Sequence, residues 1–164
     1  MSIGSITIDG EATVGYGINV SNIPVGDAVY VDRALYQTCT KIEQKINSVS
    51  DQLESYPNES WVCLYYCSAH QWDYWMQNLS PAVSALFSRR IDTALLAATE
   101  RVTGINFTGD GISKRRAALA SSKRGIGLRN HENTANAAFV GNVNQTVSRF
   151  VYYTNEEGDV IKGF

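Results

Sequence analysis

Apolar and polar residues alternate with a period of two at the start of the chain and with a period near 3.6 in most of the remainder. In residues 3–8 and 12–20 about every second position is apolar, and Asp9-Gly10 between them suits a hairpin turn. Residues 22–26 contain a proline and a glycine, which are expected to break this pattern. The sequence therefore predicts a short N-terminal β-hairpin that is followed by helices.

The helical part of the pattern consists of apolar residues at every third or fourth position. It predicts helices over residues 28–54, 59–78, 81–103 and 132–150. Asp27 is suited to cap the first of them, and Ser80-Pro81 is typical of a helix start. The second is apolar nearly all round, which predicts that it is the central helix. The predicted fold class is mainly α: a short N-terminal β-hairpin followed by a bundle of about four helices.

Composition favours a soluble globular chain of 164 residues, of which 44% are hydrophobic and 18% are charged. A chain of this length buries about 68–70% of its unfolded surface and needs no disulfide or metal to fold. With 14 basic and 16 acidic residues the formal net charge is -2. These values exclude a disordered chain and a strongly basic protein that coats nucleic acid.

Cysteine usage and the first residues bear on location. Three cysteines do not form an even-numbered disulfide framework, which favours a reducing compartment. Residues 1–10 show neither the basic nor the apolar part of a signal peptide, and every long apolar stretch is interrupted by polar residues. We therefore expect an intracellular protein, cytoplasmic or nuclear, with no membrane partner.

Residues 104–130 form a basic, glycine-punctuated segment in a chain that is acidic elsewhere. They hold five glycines and six of the fourteen basic residues, and no acid lies between Ser113 and His131. Such a segment can neutralise phosphates of a nucleic acid, whereas the simpler interpretation is a solvated surface. The six basic residues are Lys114, Arg115, Arg116, Lys123, Arg124 and Arg129.

Other candidate chemistry is weaker. Cys63, Cys67 and His70 fall on one face of the predicted second helix, as zinc ligands would, but a fourth ligand is missing and buried small side chains are the simpler interpretation. No phosphate loop or framed pair of carboxylates is present. We therefore predict no catalytic residue, no metal and no cofactor. The aromatic residues that suit either base stacking or the core are Tyr65, Tyr66, Trp72, Tyr74 and Trp75.

Three motifs occur in a fixed order. Residues 17–31 begin with Gly-Ile-Asn-Val-Ser-Asn-Ile-Pro-Val-Gly-Asp and end with Tyr-Val. Residues 64–75 contain Leu-Tyr-Tyr-Cys-Ser-Ala-His and then Asp-Tyr-Trp. Residues 119–141 contain a Leu, then Gly-Ile-Gly-Leu-Arg-Asn, then Ala-Ala-Phe-Val-Gly. Together they resemble the region that follows the palm in the reverse transcriptases of non-LTR retrotransposons.

The resemblance implies a role in holding nucleic acid. Residues 1–26 would be a hairpin like a primer grip, and residues 27–164 a helical region like a thumb that holds an RNA–DNA or DNA duplex by its backbone. The six basic residues would contact phosphates, and Gly125 and Gly127 would let the backbone approach. The motifs depart from the family at Ser21-Asn22 (Leu-Gly in the family), Ala120 (Pro) and Arg124 (Gly).

The aromatic-x-Asp-Asp turn by which a polymerase palm holds two metal ions does not occur in the sequence. The chain alone is therefore not expected to polymerise DNA. Two hypotheses stay open. The chain is a fragment of, or an orphan derived from, a retroelement reverse transcriptase, with the palm supplied in cis before Met1 or in trans. Alternatively, it is a small helical protein–protein interaction module that has lost nucleic-acid binding, with self-association into a homo-oligomer open in either case.

Overall fold

The computed structural model describes residues 16–107, 111–150, 152–154 and 160–162. This part of the chain is mainly α-helical and begins with a two-stranded antiparallel hairpin, which confirms the predicted fold class.

The described hairpin is formed by residues 17–26, and the strand predicted over residues 3–8 lies outside the described residues. Strand β1 (Gly17–Val20) pairs with strand β2 (Ile23–Gly26) around Ser21 and Asn22, whose positive φ angles of 50° and 66° form a type I′ turn. The expected break over residues 22–26 was therefore wrong, since a two-stranded ribbon leaves one edge of each strand unpaired and tolerates a proline there. The predicted turn at Asp9-Gly10 lies outside the described residues.

Six α-helices follow in the described part of the chain. They are α1 (Ala28–Gln52), α2 (Pro57–Cys63), α3 (Asp73–Asn78), α4 (Pro81–Thr103), α5 (Gly111–Ala118) and α6 (His131–Phe150). The predicted first, third and last helices are confirmed as α1, α4 and α6. The carboxylate of Asp27 caps α1 by accepting the backbone N–H of Tyr30 at 2.8 Å, and hydrogen bonds from the backbone N–H groups of Tyr16 and Tyr30 lower the pKa of this carboxyl.

The predicted second helix was wrong, because residues 59–78 do not form one continuous helix. A π-helical segment, Leu64–Ser68, follows α2, and the chain then turns before α3 begins. The N–H of Asp73, which would meet the carbonyl of Ala69 in a continuous helix, instead donates to the carbonyl of His70 at 3.2 Å. The helix that contacts most of the others is α4, which packs against α1 and α6.

The core lies where α1 and α4 face each other and extends to the turn before α3. Its largest fully buried side chain is Trp72, whose indole Nε1 donates a hydrogen bond of 2.8 Å to the hydroxyl of Ser88 on α4. An exposed indole N–H can donate a hydrogen bond to water, but a buried one needs an acceptor within the protein. Other core residues are Leu35, Ile46, Leu64, Met76, Ile91 and Leu95.

A second two-stranded ribbon completes the described fold. This antiparallel ribbon, β3 (Tyr152–Thr154) paired with β4 (Val160–Lys162), follows α6 and was not predicted.

The apolar runs of the described helices are all too short, or too often interrupted by charge, to cross a bilayer.

We expect Ser88→Ala to reduce the free energy of unfolding by about 1–3 kcal/mol, because the indole N–H of Trp72 then stays buried without an acceptor. Urea denaturation followed by Trp fluorescence measures this change. The matched control is Ser48→Ala, which changes an exposed serine of α1 and should leave the midpoint in place. Equal midpoints for the two variants would contradict the assigned role of Ser88.

Candidate functional site

The basic segment folds into helix α5 and a tight loop that turns back on its end. The N–H of Gly127 donates to the carbonyl of Leu119, and the N–H of Leu128 to that of Ala117, both at 2.8 Å. Gly127 has a φ of +71°, and a Cβ on Gly125 would lie 2.0 Å from the carbonyl oxygen of Leu119. Both glycines are therefore required by the loop itself. Their role in approaching a phosphate stays a prediction.

Five basic side chains of this segment are exposed. In the described part of the chain, no carboxylate lies within ion-pair distance of any of them. Lys114 lies near enough to Glu132 for its charge to help lower the pKa of that carboxyl, after the larger effect of Arg89, and the other four charges face solvent, where they can meet an anionic partner. These residues are Lys114, Arg115, Arg116, Lys123 and Arg124.

The arginines of α4 have a different environment. Arg89 reaches Glu132 of α6 at 2.5 Å, and this hydrogen bond lowers the pKa of the glutamate carboxyl. Arg90 makes two hydrogen bonds, of 3.0 and 2.6 Å, to the carboxylate of Glu43 on α1. Such bidentate pairs fix the geometry of helix packing. These cations therefore hold the bundle together.

Arg129 differs from the other five predicted phosphate contacts, because it is already paired. Its Nη2 lies 3.0 Å from Oδ2 of Asp73 and 2.9 Å from Nδ1 of His70. His70 Nδ1 is itself 3.0 Å from the same carboxylate oxygen. The structure thus brings Arg129 together with His70 and Asp73, which the sequence reasoning did not connect.

Behind this exposed group lies His131, the first residue of α6, which is fully buried. Its Nδ1 is 2.6 Å from Oδ1 of Asp92 on α4, and its Nε2 is 2.8 Å from the carbonyl oxygen of Ala69. A carboxylate and a carbonyl only accept hydrogen bonds, so both contacts are hydrogen bonds only when both ring nitrogens carry hydrogen. Asp73 supplies a second carboxylate oxygen, 3.7 Å from Nε2.

Asp92 adds to the side-chain cap that Asn130 provides at the start of α6. Its two carboxylate oxygens accept the backbone N–H groups of His131 and Glu132, each at 2.9 Å. Asn130 accepts the N–H of Asn133 at 3.0 Å. The first N–H groups of a helix have no partner within the helix, so these acceptors stabilise its start and complement its dipole. An acid on α4 therefore fixes where α6 begins.

The aromatic residues divide between core and surface. Trp72 is buried and Trp75 partly so, which removes the first from any role in stacking on bases. Tyr66 and Tyr74 are exposed at 67% and 42%, and the ring of Tyr65 packs beside Tyr66 with centroids 4.8 Å apart. Tyr66 and Tyr74 are therefore the members of this set that are most exposed to solvent.

The candidate metal ligands do not form a cluster. Within the described residues, no group of three or more His, Cys, Asp or Glu side chains is arranged to hold a metal ion. Cys67 is exposed, while Cys39 is buried in the core, where burial and the neighbouring Glu43 raise the pKa of the thiol to about 12. Cys39 is therefore a protonated, unreactive core side chain.

Sequence reasoning missed the acids at the centre of this site. Asp73 and Asp92 occur singly in the sequence, and no local motif indicates their partners Arg129 and His131, which lie far along the chain. A charged residue on the apolar face of a predicted helix was the one available signal, since such a group is buried only when it is paired.

Comparisons with known proteins give no relative: no protein-family model, no curated protein and no solved structure matches the chain.

We expect His131→Leu to reduce the free energy of unfolding by about 3–5 kcal/mol, because the carboxylate of Asp92 then loses the imidazole and the carbonyl of Ala69 is left buried without a donor. Chemical denaturation followed by circular dichroism measures the reduction. Asn144→Leu, a change of an exposed residue on the same helix, is the control and should stay within about 0.5 kcal/mol of the parent. A small effect of the His131 change would show that the network does not hold α6 in place.

Proposed function

We propose that this chain holds a nucleic-acid duplex through its phosphates, as the thumb-side, non-catalytic part of a retroelement reverse transcriptase or as an orphan derived from one. The observation that carries the proposal is the set of five exposed cations between Lys114 and Arg124, none of which has an ion-pair partner among the described residues. In a chain with a net charge of -2, charge of one sign gathered on one short segment favours an anionic partner.

The backbone hydrogen bonds of the basic segment support this role. Its loop is held by backbone hydrogen bonds to the end of α5, so the cations stand on a fixed support. Rigid placement lowers the entropy cost when several side chains meet a regular row of phosphates. Phosphate contacts of this kind position a protein on a duplex without reading its sequence.

The resemblance to non-LTR reverse transcriptases adds the context of a primer–template duplex and of a palm in cis or in trans. The described hairpin Gly17–Gly26 and the basic loop both lie within the motifs that carry the resemblance. The hydroxyl of Tyr74 on α3 donates to the carbonyl of Ser21 in the hairpin turn at 2.5 Å, so the first two motifs are in contact. This contact is what a primer grip supported by a thumb helix would need.

A test is the paired charge reversal Arg115→Glu and Arg124→Glu, with binding to a short RNA–DNA hybrid followed by fluorescence anisotropy. Between about 50 and 200 mM salt, the slope of log K against log salt should fall by about 0.9 for each phosphate that the variant no longer neutralises. Affinity at the lowest salt should fall at least about tenfold.

The matched control for this test is Lys41→Glu with Lys45→Glu on α1, which changes the net charge by the same amount at exposed positions outside the segment. It should leave most of the affinity and of the salt slope unchanged. Equal reductions in affinity from both pairs would show an effect of net charge alone, and unchanged binding after the first pair would refute the proposed role.

A second candidate function is a protein–protein interaction module. The observation that favours it is an apolar groove of about 690 Å³ between the first turns of α1 and α4. Leu86 and Tyr36 line the groove and are 65% and 58% exposed, and they give it the apolar character expected of an interaction surface.

Under this second function we expect the mass from light scattering to rise with protein concentration in the absence of nucleic acid. Leu86→Glu should abolish the rise, because it places a charge in the apolar groove. Ala82→Glu is the control, since it adds the same charge at an exposed position of the same helix. A mass that stays monomeric at every concentration would argue against self-association.

A further inference from the structure

A polar pocket of about 340 Å³ lies directly beside the basic segment, between the π-helical segment and the start of α6. It is distinct from the five free cations, because none of them lines it. The residues that give it its chemistry are Tyr65, His70, Gly127, Arg129, Asn130 and Thr134.

Two hydrogen-bonding groups of this pocket are unused. Among the described residues, the hydroxyl of Tyr65 and Nε2 of His70 have no hydrogen-bond partner. Nδ1 of His70 lies within hydrogen-bond distance of Asp73 and of Arg129 but can bond to only one of them at a time. When it accepts from Arg129, the ring carries its hydrogen on Nε2, which is then free to donate to a ligand. A ring oriented in this way is already positioned before a ligand arrives.

The charges at the pocket itself nearly cancel, and the exposed cations of the adjacent basic segment supply the positive field beside it. Arg129 contributes a guanidinium that is 40% exposed, and Asp73 offsets it, since its Oδ2 lies 3.0 Å from both Arg129 and His70. The first N–H groups of α6 are already bonded to Asp92 and Asn130. Recognition would therefore rest on side chains and on the field of the neighbouring cations.

Gly127 shapes the wall between the loop and the pocket. A Cβ on this residue would lie 3.2 Å from the ring and the hydroxyl of Tyr65. A side chain there would crowd the hydroxyl, so the glycine keeps the unused donor accessible. The same loop thus presents cations on one part of its surface and this pocket on another.

We propose that the pocket receives the phosphate at the end of a nucleic-acid strand, and this inference rests on the proposed function. The body of a duplex is a convex rod that meets exposed cations, whereas a recessed pocket admits a chain end. A terminal phosphomonoester also carries more charge than an internal diester and offers three acceptor oxygens to the donors described. The volume of the pocket is at the small end of ligand pockets and suits one terminal nucleotide.

The experiment compares short RNA–DNA hybrids of one sequence that end in 5′-phosphate, 3′-phosphate or hydroxyl groups, with anisotropy as the readout. The unmodified chain should bind one of the phosphorylated hybrids about tenfold more tightly than the hydroxyl-ended hybrid, as expected for hydrogen bonds to a charged group. Tyr65→Phe and His70→Gln should each remove most of this preference and leave the salt slope on the hydroxyl-ended hybrid unchanged.

The matched control is Tyr66→Phe, which removes the hydroxyl of the neighbouring, more exposed tyrosine outside the pocket and should keep the preference. Circular dichroism checks that each variant is folded. Equal affinity for phosphate and hydroxyl ends, with salt-dependent binding retained, would overturn this inference alone. A preference that persists in both pocket variants would do the same. No binding to any hybrid would overturn the proposed function together with it.

Discussion

The imidazole of His131 joins three parts of the fold through its two nitrogens. One nitrogen meets Asp92 on α4, and the other meets the carbonyl of Ala69 in the turn before α3. That carbonyl is available only because the chain leaves helical geometry after the π-helical segment. The start of α6, and with it the end of the basic loop, is therefore tied to α4 and to the turn before α3 by this buried ring together with the carboxylate of Asp92.

This arrangement separates cations that hold the structure from cations that face solvent. Arg89, Arg90 and Arg129 each have a carboxylate partner on another element of the bundle. Arg89 and Arg129 are 68% and 40% exposed, so their pairs orient the elements that they join and add little to stability. The cations of α5 and its loop have no such partner in the described part of the chain, which leaves their charge for a ligand. The amino-acid composition includes both sets of cations in one count. Only the structure shows which of them have a carboxylate partner.

In both element predictions that failed, contacts between residues far apart in sequence accompany a local structure that local preferences do not favour. Local propensity treats residues 59–78 as one apolar helix, whereas in the structure the chain turns before α3, and Trp72 in that turn donates its indole N–H to Ser88 on α4. Residues 22–26 look like a hairpin breaker because they contain a proline and a glycine. The left-handed conformations of Ser21 and Asn22 form a turn that ordinary turn preferences rank low for serine, and contact with Tyr74 supports it.

The sequence by itself determined the long helices α1, α4 and α6, the cap at Asp27 and the presence of a basic segment, because periodicity, capping and charge are properties of neighbouring residues. Tertiary structure alone decided which of the basic residues are free and where the candidate pocket lies. The partners of Arg129 and His131 are far away in the chain, and no spacing rule connects them. Burial makes pairing obligatory for His131, and the fold selects the partners of both residues.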